Sequence, residues 1–185
     1  MEFLRRITNM FRPAPPAPEP PFEPLVESTN RRGKERRAAR AGTRVLLIDD
    51  SATIVALLRR MLRQNEYATL EAGDAERGIE LARSERPDLI FLDIVLPGMN
   101  GFAALRALRR DPDTRDIPII MISGNEQATE EFYVHRIGAD DFMKKPFSRG
   151  EVFARIERLL DDEGVPRRVP VVDAAGEAPA ATAPA

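Results

Sequence analysis

The stretch Arg44-Val-Leu-Leu-Ile-Asp-Asp50 decides the fold, because four consecutive apolar residues run directly into two aspartates. The same pattern returns in Asp88-Leu-Ile-Phe-Leu-Asp93. A short, unbroken apolar run bounded by charges is typical of a strand that is buried on both faces. The two stretches therefore predict neighbouring strands at the centre of a sheet covered by helices.

Further apolar runs and helical stripes continue this alternation along the chain. Runs with strand character lie at 68–70, 117–122 and, more weakly, 139–143. Helices are predicted over 51–66, 101–110 and 126–137, after the capping residue Asp74, and along the stripe from Val152 to Leu160. The first helix is expected to bury Ile54, Leu57, Leu58, Met61 and Leu62. Five strand–helix repeats require parallel strands with right-handed crossovers, so we predict an α/β fold with a doubly wound, five-stranded parallel sheet. Ligands of such sheets lie beyond the carboxyl ends of the strands.

Composition divides the chain into three parts. Residues 1–42 hold 9 basic and 5 acidic residues, with an amphipathic stripe over 1–12 and seven prolines in 13–24. Residues 43–163 hold 17 basic and 23 acidic residues and are numerous enough for a sizeable core. The Ala- and Pro-rich residues 164–185, like the N-terminal arm, have too little apolar content to offset the entropy of ordering. We therefore predict one folded domain over 43–163, flanked by disordered arms.

The absence of certain residues narrows the chemistry. The chain has no Cys and a single His, which excludes thiol nucleophiles, cysteine zinc sites and histidine-rich metal sites. No stretch approaches the roughly 18 apolar residues that a membrane span needs, and the N-terminus lacks the apolar run of a secretory signal. The sequence predicts a cytoplasmic protein whose chemistry depends on oxygen ligands.

Three aspartates are expected to meet at the carboxyl edge of the sheet. Asp49 and Asp50 follow the first strand, and Asp93 ends the third. Carboxylates gathered at one edge repel each other, and a hard divalent cation removes that repulsion. The triplet therefore predicts a Mg²⁺ site. The alternative is that such aspartates only cap the following helices, as Asp50 could before the helix over 51–66.

A hydroxyl and an ammonium are predicted at the same edge, because the fourth strand ends in Ser123-Gly124 and the fifth leads into Lys145-Pro146. A phosphoryl group passing to a carboxylate spreads negative charge over its equatorial oxygens, which favours a cation, a hydrogen-bond donor and little steric cover. Mg²⁺, Lys145, Ser123 and the bare Gly124 would supply these roles.

These residues carry a family resemblance. Asp49-Asp50, Asp93-Ile-Val-Leu-Pro-Gly-Met-Asn-Gly, Ser123-Gly and Lys145-Pro-Phe occur in the order and at the spacing of the receiver domain of two-component response regulators. The chain resembles that family over 43–163, and the resemblance implies a (βα)5, flavodoxin-like fold.

The resemblance also implies residue roles. Asp93 would accept phosphate from a phosphohistidine on a sensor histidine kinase or a histidine phosphotransfer protein. Asp49, Asp50, Asp93 and the backbone carbonyl of Val95 would bind Mg²⁺, while Ser123 and Lys145 would contact the phosphoryl oxygens. Ser123 and Phe142 would form the switch, and the peptide bond before Pro146 would be cis. The family often has Tyr where this chain has Phe142, so a switch here must act through packing alone.

Two other classes of protein compete with this interpretation. Phosphatases that use a strand-end Asp carry a second acid two residues later, where this chain has Val95, and no glycine-rich nucleotide motif is present. An enzyme that releases a small-molecule product is therefore disfavoured. A receiver-fold scaffold stays open as the alternative, because the basic linker and the stripe over 1–12 could dock to a partner or a membrane.

Output through DNA is not expected, since residues 164–185 are too few for a recognition fold. The sequence therefore predicts a single-domain response regulator that signals by altered contacts with a protein target. It does not identify that target or the kinase.

Overall fold

A computed structural model describes residues 37–124 and 138–168. The predicted amphipathic segment over 1–12, the proline-rich stretch, the helix over 126–137 and most of the Ala/Pro-rich tail lie outside the described residues.

Within the described residues, five parallel strands form one sheet, as predicted. They are β1 (Arg44–Ile48), β2 (Ala68–Ala72), β3 (Leu89–Asp93), β4 (Ile119–Ser123) and β5 (Asp141–Lys144). The order across the sheet is β2-β1-β3-β4-β5, with all neighbours parallel. The strands β3 and β4 are buried along their whole length, which explains why their sequences are almost continuously apolar.

Four helices are described, and each begins with a capping side chain. They are α1 (Ala52–Arg63), α2 (Ala75–Glu85), α3 (Gly101–Arg110) and α4 (Arg149–Arg158). Their N-caps are Ser51, Asp74, Asn100 and Ser148, and each accepts a hydrogen bond from a backbone N–H of the first turn. These local signals place the helix starts at the ends of the loops that follow β1, β2, β3 and β5.

Two hydrophobic cores lie on opposite faces of the sheet. Alternate residues of β1 belong to different cores: Leu46 and Ile48 face α2 and α3, whereas Val45 and Leu47 face α1 and α4. This is the period of two that a strand imposes on its side chains. The helices on both faces confirm the doubly wound architecture.

The buried stripe of α1 differs from the predicted one. Leu58 and Leu62 are buried as expected, but Leu57 is 38 % exposed and the buried position on that turn is Val55. Because successive helical residues are about 100° apart, choosing Leu57 over Val55 rotates the predicted stripe away from the sheet. Leucine content alone therefore misplaced the edge of the buried face.

Residues on both sides of the predicted domain pack against its amino edge, where the strands begin. We call 37–42 and 164–168 the two flanks. The Arg40 N–H donates to the Gly164 carbonyl over 3.0 Å, and Leu160 pairs with the buried Pro166 in an isolated antiparallel bridge. Arg168 Nε lies 3.3 Å from the buried Asp140. The ordered contacts therefore extend beyond 43–163 at both ends.

No helix within 37–124 and 138–168 has the length and apolarity needed to cross a bilayer.

Candidate functional site: an acidic cluster at the carboxyl edge

The parallel pairing of β1 and β3 brings the three predicted aspartates together. Ile48 is in register with Leu92. Asp49 directly follows Ile48 and Asp93 directly follows Leu92, so the two aspartates lie at the same edge of the sheet. Asp49, Asp50 and Asp93 each offer a carboxylate oxygen within 4.8 Å of the others. Asp49 and Asp93 are buried and Asp50 is exposed, so the cluster opens to solvent on one side.

Lys145 reaches this cluster from the end of β5. Its Nζ lies 2.9 Å from Asp93 Oδ2 and 2.7 Å from Asp49 Oδ2. Its backbone N–H donates to the Ser123 carbonyl over 2.7 Å, which fixes the chain just after β5, and the following bond to Pro146 is cis, as the resemblance implies. One ammonium therefore bridges two of the three carboxylates.

Burial and charge act in opposite directions on these groups. Burial raises the pKa of Asp93, the nearby Asp49 charge adds to that rise, and the contact with Lys145 only partly offsets it. Burial alone would lower the pKa of Lys145, but its hydrogen bonds to Asp49 and Asp93 outweigh that effect and raise it. The site therefore favours a charged lysine beside a carboxylate whose charge is incompletely compensated.

The oxygens of this cluster fit a hard divalent cation. Asp93 Oδ1 is buried and accepts no hydrogen bond from any described residue. Asp49 Oδ2 is also buried without a well-aligned hydrogen bond, although the Lys145 ammonium lies 2.7 Å away. Unsatisfied buried carboxylate oxygens are costly, and oxygen-only ligands with one open side are what Mg²⁺ prefers. The donor set therefore fits the predicted Mg²⁺.

A model of the response regulator receiver domain matches residues 45–157, which cover both the sheet and this cluster. The chain belongs to the response regulator receiver family. Receiver domains are signalling domains, and the family assignment agrees with the fold predicted from the strand-end aspartates.

Curated relatives of this receiver domain include proteins of different lengths. Protein PilH of Pseudomonas aeruginosa is 38 % identical over 117 residues, which cover 63 % of this chain and 97 % of PilH. The alkaline phosphatase synthesis transcriptional regulatory protein PhoP of Bacillus subtilis is 36 % identical over 63 % of this chain but only 48 % of PhoP. The chain thus spans nearly all of one relative and about half of the other.

The receiver domain superposes on solved structures of similar proteins. The chemotaxis protein CheY4 of Vibrio cholerae superposes with a TM-score of 0.61 at 27 % identity, covering 65 % of this chain and 100 % of that one. The receiver domain of sensor histidine kinase PA1611 from Pseudomonas aeruginosa superposes with a TM-score of 0.58 at 30 % identity, covering 64 % and 96 %. That second structure holds a magnesium ion in its active-site cleft.

The remaining predicted site residues of the receiver domain lie beside the cluster or beneath it. Ser123 ends β4, is fully buried, and is in register with Lys144, the neighbour of Lys145. Phe142 is 3 % exposed and belongs to the core that faces α2 and α3. The Val95 side chain is 65 % exposed beside the acidic edge. Their roles in phosphoryl contact, switching and metal binding stay predictions.

Gly101 is a site residue whose importance the sequence reasoning missed. A Cβ at this position would lie 2.1 Å from the Asp93 carbonyl oxygen. Only glycine therefore allows the start of α3 to pack this closely against the backbone of Asp93. Its N–H donates to the Ile94 carbonyl over 2.9 Å, which closes the loop after β3. The signal was a glycine directly after the helix-capping Asn100, where a better helix former would otherwise be expected.

Proposed function

We propose that this chain is a response regulator that accepts a phosphoryl group on Asp93 from a phosphohistidine. The donor would be a sensor histidine kinase or a histidine phosphotransfer protein, and the product would signal through altered contacts with a protein target. The single observation that carries the proposal is the placement of the Lys145 ammonium between Asp93 and Asp49, at 2.9 and 2.7 Å.

The proposed transfer uses the free oxygen of Asp93. Asp93 Oδ1 attacks the phosphorus and a P–O bond forms. The P–N bond to the donor breaks, its electron pair stays on that nitrogen, and the donor leaves as a neutral imidazole that carries a proton on its other nitrogen. Lys145 stays charged because its pKa is raised, so it can neutralise an oxygen of the phosphoryl group while keeping Asp93 in place. Ser123 would contact a second oxygen.

Asp49, Asp50, Asp93 and the Val95 carbonyl would hold Mg²⁺ in this proposal. When bound, the cation supplies positive charge that offsets the repulsion between the carboxylates and the incoming phosphoryl oxygens. Two findings support it: the oxygens of the three aspartates lie within 4.8 Å of one another, and a receiver domain 30 % identical to this chain contains magnesium in its cleft.

The response to phosphate is proposed to travel through packing. Phe142 has no hydroxyl to form a hydrogen bond, so movement of Ser123 toward the phosphoryl group would be read by repacking of the aromatic ring. A signalling role for this receiver domain is supported by CheY4, a chemotaxis protein whose structure the match covers completely.

Incubation of the full chain with a small phosphodonor and Mg²⁺ tests the proposal. One acid-stable, base-labile phosphoryl group is expected, and Asp93→Asn should abolish it. Asp74→Asn is the matched control, because Asn caps α2 as well as Asp does and lies outside the cluster. Undiminished labelling of the Asp93 variant would assign the phosphoryl group to another residue.

The alternative, a receiver-fold scaffold that docks through residues 1–12, makes a different prediction. A scaffold would keep its partner in the Asp93→Asn variant and lose it when Phe3 and Ile7 are both replaced by Asp. Residues 1–12 lie outside the described residues, so this docking role stays a prediction.

A further inference from the structure

A groove of about 410 Å³ lies on the face of the sheet that carries α1 and α4, and none of the three clustered aspartates lines it. The residues that do line it include Arg37, Asn65, Tyr67, Arg149, Phe153 and Ile156. Its volume falls in the range of about 300–1,000 Å³ that is common for binding sites in proteins. The groove is therefore large enough to hold several groups of a ligand.

Aromatic rings form an ordered apolar surface in the groove. Tyr67 is only 6 % exposed, and its hydroxyl accepts a hydrogen bond from the Ala39 backbone. The Phe153 ring lies beside it, with the two ring centroids 6.1 Å apart, and stays partly exposed. This surface can receive an apolar side chain without first rearranging.

Arg149 adds a positive charge that is held in place but unpaired. Its guanidinium lies 5.5 Å from the centroid of the Phe153 ring, and it forms no ion pair within the described part of the chain. Stacking on a ring restrains a guanidinium while its N–H donors stay available to a carboxylate. Arg149 is also the first residue of α4, where the helix dipole favours negative charge. An anionic group is therefore the partner that this side chain suits.

A second arginine lies near the other end of α4. The backbone N–H of Arg37 donates to Glu157 Oε1 over 3.2 Å, and its side chain contacts the Asp161 carbonyl. Its guanidinium also lies 3.8 Å from the carboxylate of Asp162, which is fully exposed, so that ion pair is weak. The positive charge of the groove is thus spread along α4 instead of being gathered at one point.

Asn65 supplies a hydrogen-bond acceptor at the same groove. Its side-chain N–H donates to the Met61 carbonyl over 3.0 Å, and its side-chain oxygen accepts no hydrogen bond from the described residues. A ligand with an N–H group would complete this amide. The groove therefore offers three kinds of contact: aromatic surface, separated positive charges and an acceptor.

We propose that this groove binds an acidic linear segment of a partner protein, in which an aromatic side chain is flanked by carboxylates. Such a segment supplies the ring for Tyr67 and Phe153, carboxylates for Arg149 and Arg37, and backbone N–H groups for Asn65. A lipid surface offers anionic groups and hydrocarbon but no ring to stack in the groove. The groove does not include Asp93, so this binding does not rest on the proposed phosphoryl transfer.

A peptide titration of the isotope-labelled full chain tests the proposal. The probe is a synthetic peptide that has one phenylalanine between two pairs of glutamates. It should cause saturable shifts of the Asn65 and Gly150 amide resonances and leave those of β3 and β4 unchanged. A peptide with glutamines in place of the glutamates should bind at least about tenfold more weakly, because it lacks the carboxylates for the arginines.

Two substitutions locate the binding on the protein. Arg149→Glu should weaken the acidic peptide at least about tenfold, whereas Arg106→Glu is the matched control and should leave the dissociation constant unchanged. Arg106 is an exposed arginine of α3, on the opposite face of the sheet. Phe153→Leu keeps an apolar side chain but removes the ring under Arg149, so it should weaken binding severalfold. Wild-type affinity of the Arg149 variant would overturn the proposal.

Other occupants of the groove would give different results. Groove resonances that change when the wild-type chain is diluted without peptide would assign the groove to a second copy of the chain. Binding to phosphatidylglycerol vesicles that is lost in Arg149→Glu, without saturable peptide shifts, would assign it to a membrane surface. Either result would overturn the peptide proposal, as would a titration with the acidic peptide that produces no saturable shift.

Discussion

The side chains of the acidic edge carry an uncompensated negative charge. Asp49 and Asp93 are buried around one ammonium, and Asp50 adds a third negative charge. At 4.8 Å and an effective dielectric constant near 20, a pair of carboxylates repels by about 3 kcal/mol. A bound cation removes that repulsion, so the stability of the fold should depend on it.

Mg²⁺ is therefore expected to raise the melting temperature of the wild-type chain. At about 100 times its dissociation constant, a ligand that binds only the folded state stabilises by about 2.7 kcal/mol, which is several degrees for a domain of this size. Asp50→Asn removes a ligand and part of the repulsion, so this variant should melt higher than wild type without metal and respond less to Mg²⁺. Thermal melts with Mg²⁺ and with chelator measure both effects, and Asp74→Asn should behave like wild type. A wild-type melt that is flat across millimolar Mg²⁺ contradicts the metal site.

Gly101→Ala should destabilise the chain through a steric clash. The added Cβ would meet the Asp93 carbonyl oxygen at 2.1 Å, and relief requires backbone movement, for which about 1–3 kcal/mol is typical. Urea denaturation measures the loss. Gly73→Ala is the control, since its Cβ would meet nothing within 4 Å and its free energy of unfolding should change by less than about 0.5 kcal/mol. Equal stability of the two variants would mean that the loop after β3 adapts without cost.

Among the strands and helices, the strands could be predicted well because each central strand is a short apolar run that ends in a charged or polar residue. The acidic cluster followed from the same fact, since parallel strands bring their carboxyl ends to one edge. Predictions were weaker where burial is one-sided. The edge strand β2 continues to Ala72, beyond the predicted 68–70, because its exposed Glu71 interrupts the apolar run. The predicted strand over 117–122 begins only at Ile119, after Pro118, which has no N–H to donate to a ladder.

One link between α3 and β5 could not be predicted, because its partners are distant in sequence. The side chain of Arg109 donates to the carbonyls of Gly138, Arg115 and Ile117 and pairs with the buried Asp140 at 2.7 Å. Burial lowers the pKa of Arg109 to about 10, against the opposing effect of Asp140. The guanidinium remains charged near neutral pH, and it holds three backbone carbonyls and the Asp140 carboxylate together at the amino edge.

Arg109→Met should therefore cost about 3–5 kcal/mol, because it leaves Asp140 as a buried charge with a weaker partner. Arg109→Lys should recover only part of that loss, since an ammonium lacks the planar fork that reaches several carbonyls at once. Chemical denaturation compares these variants with Arg110→Met, an exposed neighbour whose change should be near zero. Full rescue by lysine would show that charge alone, without geometry, stabilises this region.

The two flanks of the domain are the part of the fold that the composition of the chain did not predict. The residues Gly164-Val-Pro-Arg-Arg168 resemble the start of a disordered tail, yet they contribute a buried proline and an arginine that reaches Asp140. Those contacts depend on the assembled amino edge and leave no periodic pattern in the sequence. The same holds for Arg37, whose backbone N–H donates to Glu157 over 3.2 Å.

Truncation after Glu163 should lower the free energy of unfolding by about 1.5–3 kcal/mol, the range for losing a hydrogen bond to a charged group. Truncation after Arg168 keeps every described contact of the C-terminal flank and is expected to leave stability unchanged. Urea denaturation of the two shortened chains beside the full chain makes the comparison. If both truncations were neutral, the C-terminal flank would add nothing to stability.

The C-terminal flank should also weaken in acid. Hydrogen bonds from the Val165 N–H and the Arg167 side chain hold the pKa of Asp161 below its ordinary value. The stabilisation is thus complete above the ordinary pKa of an aspartate and is lost as pH falls through the lower folded value. The difference in unfolding free energy between wild type and Asp161→Asn should shrink toward zero as the pH is lowered through this range.

The hydrogen bond between Arg40 and Gly164, where the two flanks meet, determines which edge of a tethered domain stays accessible. Both flanks lie at the amino edge of the sheet, on the side opposite Asp93. If the domain were tethered to a surface or a larger assembly through either flank, its acidic edge would therefore point away from the point of attachment. A bulky phosphodonor could then approach the acidic edge without a steric clash at the attachment point, whichever flank carries the tether.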